Sequence, residues 1–321
     1  MQKKHLPKRH VLQAVGVAAG VGLAICLGAN WDEVATAVGV PKPLTAQEIV
    51  AKDLNWAKQE SASGMNFGMA SVHELFGQGR QGVREFVDDA LGWNSKFKLV
   101  KDYFSNGEEH SEFIEDQFSE HIFSDEQLEE AIEASVSSYV TYLDDVDSQL
   151  LIRLQMDLAD VPKEQFAPSV DRDAIRQLLD NALSEAKTAA ESEFGPAVGR
   201  EIASLVAGEV LTLVASELAT SSGILSAAAA SGTVTLGVGL VVGLVADSLV
   251  TWIYEKAYDP RGELAKRVNQ QLDQLEQLIV VGSSEQPGLQ KRLEDYSLRR
   301  SQAREAAIRA AIFPSAQTVG L

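Results

Sequence analysis

The first residues whose types could do chemistry are the glycines of the hexapeptide 77–82, Gly-Gln-Gly-Arg-Gln-Gly. Their spacing is that of a dinucleotide-binding loop, in which backbone amides meet a pyrophosphate. Such a loop works only between a buried parallel strand and a helix. The preceding residues 71–76 do not form a convincing buried strand. We therefore interpret the glycine-rich stretch from Gly64 to Gly82 as a loop that binds no nucleotide.

Metal ligation is the next chemistry to consider. His73-Glu74 begins like a zinc-protease helix, but Gly77 stands where the second histidine is needed. The motif Asp144-Asp-Val-Asp147 is not an EF-hand loop, because glycine is missing at its sixth position and Gln155 occupies its twelfth. The histidines show no ligand spacing; they are His5, His10, His73, His110 and His121. We expect no metal and no cofactor.

Nucleophilic chemistry finds no motif either. There is no Gly-x-Ser-x-Gly elbow, and the single cysteine, Cys26, lies inside an apolar segment that is unsuited to a reactive thiolate. One cysteine also permits no disulfide within the chain. We expect no catalytic residue, although an enzyme of unrecognised type stays open because a site can assemble from distant residues.

The charge distribution excludes one class of partner. The net charge is −18, and residues 102–152 contain fifteen Asp and Glu but no Lys or Arg. Phosphate binding needs a basic surface, so we expect no nucleic-acid partner. We interpret the acidic block as a solvated face that keeps off an anionic bilayer. The alternative is a dock for a basic protein partner.

Two apolar segments predict a membrane protein. Val11–Ala29 is interrupted only by Gln13, and Leu218–Ala246 contains no charged residue. We interpret the first as a retained signal anchor, with a cleaved signal peptide as the alternative. Within the second, a span from Gly232 to Ile253 ends at interfacial aromatic residues. A buried core helix is the alternative for this second segment.

Small residues and one acid mark these two spans. Gly16 and Gly20 in the first, and Gly239 and Gly243 in the second, have the four-residue spacing that lets helices approach closely. We predict helix–helix packing through them, within one chain or in a homo-oligomer. Asp247 is the one acid in the second span, and we interpret it as an interfacial or intramembrane acid.

The flanking charges predict a topology. Four basic residues and no acid precede the first span, whereas residues 30–231 carry 36 acidic and 14 basic residues. Lys and Arg next to spans mark the cytoplasmic side, and Lys256, Arg261, Lys266 and Arg267 follow the second span. Both termini are then cytoplasmic, and the acidic middle is extracytoplasmic. Three glutamates argue against a span at Val198–Ala219, which we interpret as an amphipathic helix; the alternative is the first limb of a hairpin.

The remaining segments predict long amphipathic helices. Capping boxes open helices at Thr45–Glu48 and Ser124–Gln127. The second helix carries a sustained apolar stripe typical of a bundle or coiled coil, and Pro162 ends it. Asp171 is expected to cap the next helix. Asp259–Gly262 is expected to be a turn before an apolar seam at 264–279, and a basic helix spans Leu289–Ile312.

The sequence therefore predicts a mainly α protein, a membrane-anchored helical bundle with long amphipathic helices and two apolar membrane-spanning segments. The expected divisions are a signal anchor at 1–30, an acidic extracytoplasmic helical domain at 31–196, an amphipathic helix with the second span at 197–254, and a cytoplasmic helical hairpin at 255–321. The expected function is a non-enzymatic scaffold that links the two sides of a membrane, with the lipid membrane as partner. A pore-forming or membrane-inserting helical-hairpin protein is the alternative.

Overall fold

The computed structural model describes residues 44–105, 109–166, 170, 174–192, 259–284 and 286–313. These residues are mainly helical, as predicted, and contain no β-strand. Eight α-helices follow in chain order: α1 Ala46–Ser63, α2 Ala70–Ala90, α3 Trp93–Ser105, α4 Glu109–His121, α5 Asp125–Leu158, α6 Ile175–Ser192, α7 Pro260–Val280 and α8 Leu289–Ile312. Two 3₁₀ turns lie at Gly64–Met69 and Lys163–Gln165.

None of the helices in these ranges combines the length and the apolar character needed to cross a bilayer. The predicted spans at 11–29 and 232–253 lie outside the described residues. So do the amphipathic segment 198–219 and the expected cap Asp171.

Both predicted capping boxes are confirmed. The Thr45 backbone amide donates to Glu48 Oε2 at 2.8 Å, and the Glu48 amide donates to Thr45 Oγ1 at 3.3 Å. Ser124 and Gln127 exchange the same pair of bonds at 2.8 Å and 3.3 Å. In each case the box satisfies two amides that a helix start leaves without a partner.

Helix α5 is the axis of the bundle. It runs for 34 residues, and every member of its predicted apolar stripe is buried: Leu128, Ile132, Val136, Tyr139, Leu143, Val146, Leu150, Leu154 and Leu158. The part up to Leu143 belongs to a first core with α2, α4, α7 and the start of α8. The part from Val146 belongs to a second core with α1, α6 and the end of α8. One long helix therefore joins two cores.

Aromatic rings fill the first core. Phe76 and Phe123 meet edge to face with centroids 5.1 Å apart, and Phe118 lies 5.6 Å from Phe123 and 5.7 Å from Phe86. Rings in this arrangement contribute beyond the area that they bury.

The expected loop at Gly64–Gly82 is wrong, because this stretch is a 3₁₀ turn followed by most of α2. Val72, Phe76, Val83, Phe86 and Val87 recur at helical spacing and are buried, and this burial outweighs the low helix propensity of the glycines. With a helix instead of a strand before it, the hexapeptide cannot form a dinucleotide loop.

The expected turn at Asp259–Gly262 is also wrong, because these residues begin α7. Asp259 is the N-cap, with φ of 49°, and its Oδ1 accepts from the Gly262 amide at 3.1 Å. Pro260 stands at the first helical position, where its missing N–H costs nothing. A Cβ on Gly262 would lie 2.3 Å from Asp259 Oδ2, so a larger residue there would have to displace the capping carboxylate.

The described parts of 31–196 and 255–321 form common cores. Leu264, Val268 and Leu293 share the first core with α2 and α5, and Ile308 and Ile312 share the second with α1 and α6. The seam predicted at 264–279 and the bounds of the basic helix are confirmed, but both helices pack on the acidic helices.

Two glycines of α2 give a matched test of this helix. A Cβ on Gly77 meets nothing within 4 Å, whereas a Cβ on Gly82 would lie 1.7 Å from the His121 carbonyl oxygen. We expect Gly77→Ala to stabilise the protein by up to about 1 kcal/mol, because alanine favours the helix. We expect Gly82→Ala to destabilise it by about 1–3 kcal/mol, because backbone atoms must move apart. Thermal denaturation followed by circular dichroism measures both; equal, negligible shifts would contradict a packed helix.

Candidate functional site

Charged residues interrupt the apolar stripes of α5 and α8 at positions that face each other in the bundle. Asp147 on α5 follows Leu143 by four residues and precedes Leu150 by three. On α8, Arg300 follows Tyr296 by four residues, and Arg304 precedes Ile308 by four. Helical spacing therefore turns all three charged side chains inward.

The three charges form a buried ion-pair network. Arg300 donates to Asp147 Oδ2 from Nε at 3.0 Å and from Nη2 at 2.7 Å, and Arg304 Nη1 donates to Asp147 Oδ1 at 2.5 Å. The arginines are 2% and 1% exposed. The carboxylate of Asp147 thus accepts from two buried guanidinium groups.

A second ring of groups surrounds this network. Asp144 accepts from Arg300 and from Lys187 Nζ on α6, the latter at 2.9 Å, and Arg300 Nη1 lies 3.4 Å from the Tyr296 hydroxyl. Burial alone would raise the pKa of Asp144, but its hydrogen bonds from Arg300 and Lys187 hold the pKa below the ordinary 3.8. Asp144 therefore contributes stability above its ordinary pKa that is lost as the pH falls through its folded-state pKa.

The network fixes the positions of helices more than it adds net stability. Removing two charges from water costs several kcal/mol per ion, which their attraction roughly offsets. Removing one partner, however, leaves the other charge buried and uncompensated. The pairs therefore hold α8 in one register against α5 and α6.

The same bundle holds both ends of the interval 193–258. At the end of α6, Ala190 belongs to the first core and Glu191 is 5% exposed. At the start of α7, Leu264 belongs to that same core, and Arg261 Nε lies 3.3 Å from Asp88 Oδ1 on α2. The chain therefore leaves this bundle after α6 and returns to the same bundle at α7.

The residues weighed for nucleotide and zinc chemistry serve to pack α2 on α7. Arg80 donates to Asp273 Oδ1 from Nε at 3.1 Å and from Nη2 at 2.7 Å, and it also contacts Glu276. His73 Nδ1 lies 2.6 Å from Glu276 Oε1. Within the described ranges, no group of three or more His, Cys, Asp or Glu is placed to hold a metal ion.

The structure also contains a pocket of about 410 Å³ between α1 and α8. Tyr139 lies at its floor, with its hydroxyl donating to the Ser61 carbonyl oxygen at 2.9 Å. Lys58 and Glu294 place opposite charges at its edge, and Met65 and Leu298 supply apolar surface. This lining suits a small ligand but offers no nucleophile next to a base.

The helix-packing residues predicted from the sequence, and the acid of the second span, lie outside the described residues; they are Gly16, Gly20, Gly239, Gly243 and Asp247. The acidic block, in contrast, is described over most of its length. Its acids at 112–130 are mostly exposed on α4 and α5, as a solvated face requires.

Sequence reasoning missed the network around Asp147. The sequence pattern that could have revealed this network is an acidic residue on the apolar stripe of one helix and two basic residues, four positions apart, on the apolar stripe of another helix. Asp144 and Asp147 were noted only as an imperfect calcium motif, whereas both carboxylates accept from arginine.

Comparison with protein-family models gave no match, and no curated protein or solved structure matched the chain.

A separate charge is buried in the second core. Asp53 on α1 is 0% exposed, and neither carboxylate oxygen has a hydrogen-bond partner. The nearest cationic atoms, Lys52 Nζ and Arg153 Nε, are each 3.8 Å away. Burial, with a further contribution from the charge of Asp157, raises the pKa of Asp53. An ionised Asp53 therefore destabilises the folded state.

We expect Asp147→Ala to destabilise the protein by about 3–5 kcal/mol, because the buried Arg304 loses its counterion and the buried Arg300 keeps only Asp144. The neighbouring Asp145 is exposed, and Asp145→Ala should change the stability by less than about 0.5 kcal/mol. Replacing Asp147, Arg300 and Arg304 together by Leu, Met and Met should recover most of the loss. Chemical denaturation measures the unfolding free energy of all three variants. If Asp147→Ala destabilised the protein no more than Asp145→Ala does, the network would be refuted.

For Asp53, the sign of the pKa shift predicts a pH trend. The folded state binds this proton more tightly than the unfolded state, so the contribution of Asp53 to the stability falls as the pH rises from 3.8 through its folded-state pKa. The gain from Asp53→Asn should therefore be larger at pH 7 than at pH 4. Denaturation at both pH values checks this, with the exposed Asp160→Asn as control. A gain that is independent of pH would rule out a buried ionised Asp53.

Proposed function

We propose that this chain is a membrane-inserting helical-hairpin protein. A helical bundle stays on one side of the bilayer, and the apolar stretch 218–246 enters the bilayer from it. The observation that carries the proposal is that one bundle holds both α6 and α7, the helices on either side of the interval 193–258. Its partner is the lipid membrane.

The contacts of the bundle support two crossings rather than one. A single crossing within 193–258 would place α7 and α8 across the bilayer from α5 and α6. Arg300 could then not reach Asp147, and Leu264 could not share a core with Ala190. An even number of passes, or an insertion that turns back, keeps these contacts. Two passes need about 40 residues, which this interval exceeds.

The basic residues after the second apolar segment also fit a one-sided bundle. Arg261 pairs with Asp88, and Arg300 and Arg304 pair with Asp147. These positive charges neutralise acids of the same bundle, so they do not need a cytoplasmic location. The scaffold expected from the sequence, with α7 and α8 on the far side, would require these pairs to separate.

The first limb of such a hairpin would be 198–219, with Glu201, Glu209 and Glu217. Carboxylates are costly in hydrocarbon unless they face water or another protein surface. A homo-oligomer that turns these residues toward a shared lumen satisfies this condition, and the glycines at 239 and 243 would permit close packing. This favours the pore-forming version of the proposal. The four basic residues that precede the first apolar segment favour an extracytoplasmic location for the bundle.

Thiol labelling in intact cells tests the proposal. In a Cys26→Ser background, single cysteines replace the exposed Glu112 and Arg299. We expect an impermeant reagent to label both positions to the same extent, because both lie on one side. A third cysteine at Val241 should stay unreactive before and after permeabilisation, because lipid covers it.

Ser135→Cys is the control for burial, since Ser135 is 0% exposed and should react only after denaturation. Labelling at Glu112 but not at Arg299 would restore the single crossing. Labelling of both only after permeabilisation would keep the one-sided bundle but move it to the cytoplasm. A reactive Val241→Cys would refute insertion.

A further inference from the structure

Helix α3 exposes two large aromatic residues. Trp93 is 82% exposed and Phe97 is 67% exposed. They are four residues apart, so on an α-helix they lie about 40° from each other and form one patch. Few large apolar side chains in the described ranges are as exposed.

Lysines border this patch on both sides. At about 100° per residue, Lys96 lies roughly 60° to one side of Trp93, and Lys101 roughly 40° beyond Phe97. Lys101 contacts Glu109, and Lys98 Nζ lies 4.6 Å from the centre of the Phe113 ring. Lys96 makes no ion pair within the part of the chain that the structure describes. The outward face of α3 is therefore aromatic at its centre, with Lys96 at one edge and Lys101, which is paired with Glu109, at the other.

The opposite side of α3 is fixed to the protein. Ser95 is buried, and its Oγ lies 3.0 Å from Nε2 of His110, which is itself 4% exposed. This contact with α4 turns Trp93 and Phe97 outward and makes their exposure a property of the fold.

Helix α3 is positively charged within a strongly acidic part of the sequence. Between Glu85 and Ile152 the sequence contains no Lys or Arg other than Lys96, Lys98 and Lys101, and all three lie on α3. Within this acidic part of the chain, the cations therefore lie only on the helix that carries the exposed aromatic rings.

We propose that the Trp93–Phe97 face of α3 is a docking surface for an anionic lipid bilayer. Indole and phenyl rings enter the interfacial region, and lysines at the edges meet anionic headgroups. A protein partner fits less well, because a stable protein interface needs a larger surface than two side chains provide. This contact does not rest on the proposed hairpin, since it uses no residue of 193–258.

A fluorescent reporter on α3 tests the proposal in the full chain. In the Cys26→Ser background, a cysteine at the exposed Asn94 carries an environment-sensitive dye at the edge of the patch. The protein is reconstituted into vesicles of phosphatidylcholine alone or mixed equally with phosphatidylglycerol. We expect the dye at 94 to brighten severalfold in the anionic vesicles and to be quenched by lipids with a nitroxide headgroup. The same dye at the exposed Glu130 is the control and should not respond.

Two pairs of substitutions separate the parts of the surface. Trp93→Ser with Phe97→Ser should abolish the response. Lys96→Gln with Lys101→Gln should weaken it roughly tenfold or more, because each lysine near an anionic surface contributes attraction. These side chains are exposed, so unchanged denaturation midpoints should show that the fold persists.

The outcomes distinguish this proposal from the hairpin. Protein held in the vesicles with a silent dye at 94 would overturn the docking surface and leave the hairpin intact. A bright dye at 94 together with a reactive cysteine at Val241 would support docking and overturn insertion. An equal response in neutral vesicles would overturn the requirement for anionic lipid.

Discussion

The arrangement of the bundle depends on the buried carboxylate of Asp147. It lies on α5 where the first core passes into the second, and it compensates Arg300 and Arg304 of α8. Without it, the buried guanidinium group of Arg304 would have no counterion and that of Arg300 would keep only the half-buried Asp144, and a buried charge without its partner is strongly destabilising. Only one register of α8 against α5 avoids this. The start of α8 then falls in the first core and its end in the second, so the pairing also sets how the two cores are joined.

Local signals allowed much of the fold to be predicted. The boxes at Thr45 and Ser124 and the stripe of α5 depend on residues three or four apart, so the sequence displays them directly. The helix through Gly77 and Gly82 was missed because glycine has a low helix propensity. Its burial against other helices, and the close approach of the His121 carbonyl that favours glycine at 82, involve residues that are distant in the sequence. The segment 259–262 was predicted to be a turn because the motif Asp-Pro-x-Gly is compatible both with a turn and with the start of a helix. The pairing of Asp147 with α8 joins residues more than 150 positions apart, and periodicity cannot reveal such a partner.

The basic residues after the second apolar segment have two interpretations, and the sequence alone does not distinguish them. Arginines after an apolar segment mark the cytoplasmic side when they face water and headgroups. The same arginines can instead neutralise acids across a bundle, as Arg261 does with Asp88. Positive residues at 261–304 complement the acidic excess of 30–231 only if both regions share one compartment. The contacts of Arg261 and Arg300 with acids of the same bundle therefore support our proposal that the C-terminal helices lie on the same side of the membrane as the acidic helices.

A tethered bundle changes how strong a surface contact must be. If the apolar stretch 218–246 holds the chain at the bilayer, the Trp93–Phe97 face meets lipid as an intramolecular event at a high effective concentration. The contact made by two aromatic rings and two lysines is then strengthened and holds the bundle in one orientation. The exposed acids of α4 and α5 act in the same direction, because headgroup repulsion turns them away from the surface. Attraction at α3 and repulsion at the acidic face would together select one orientation of the bundle on the membrane.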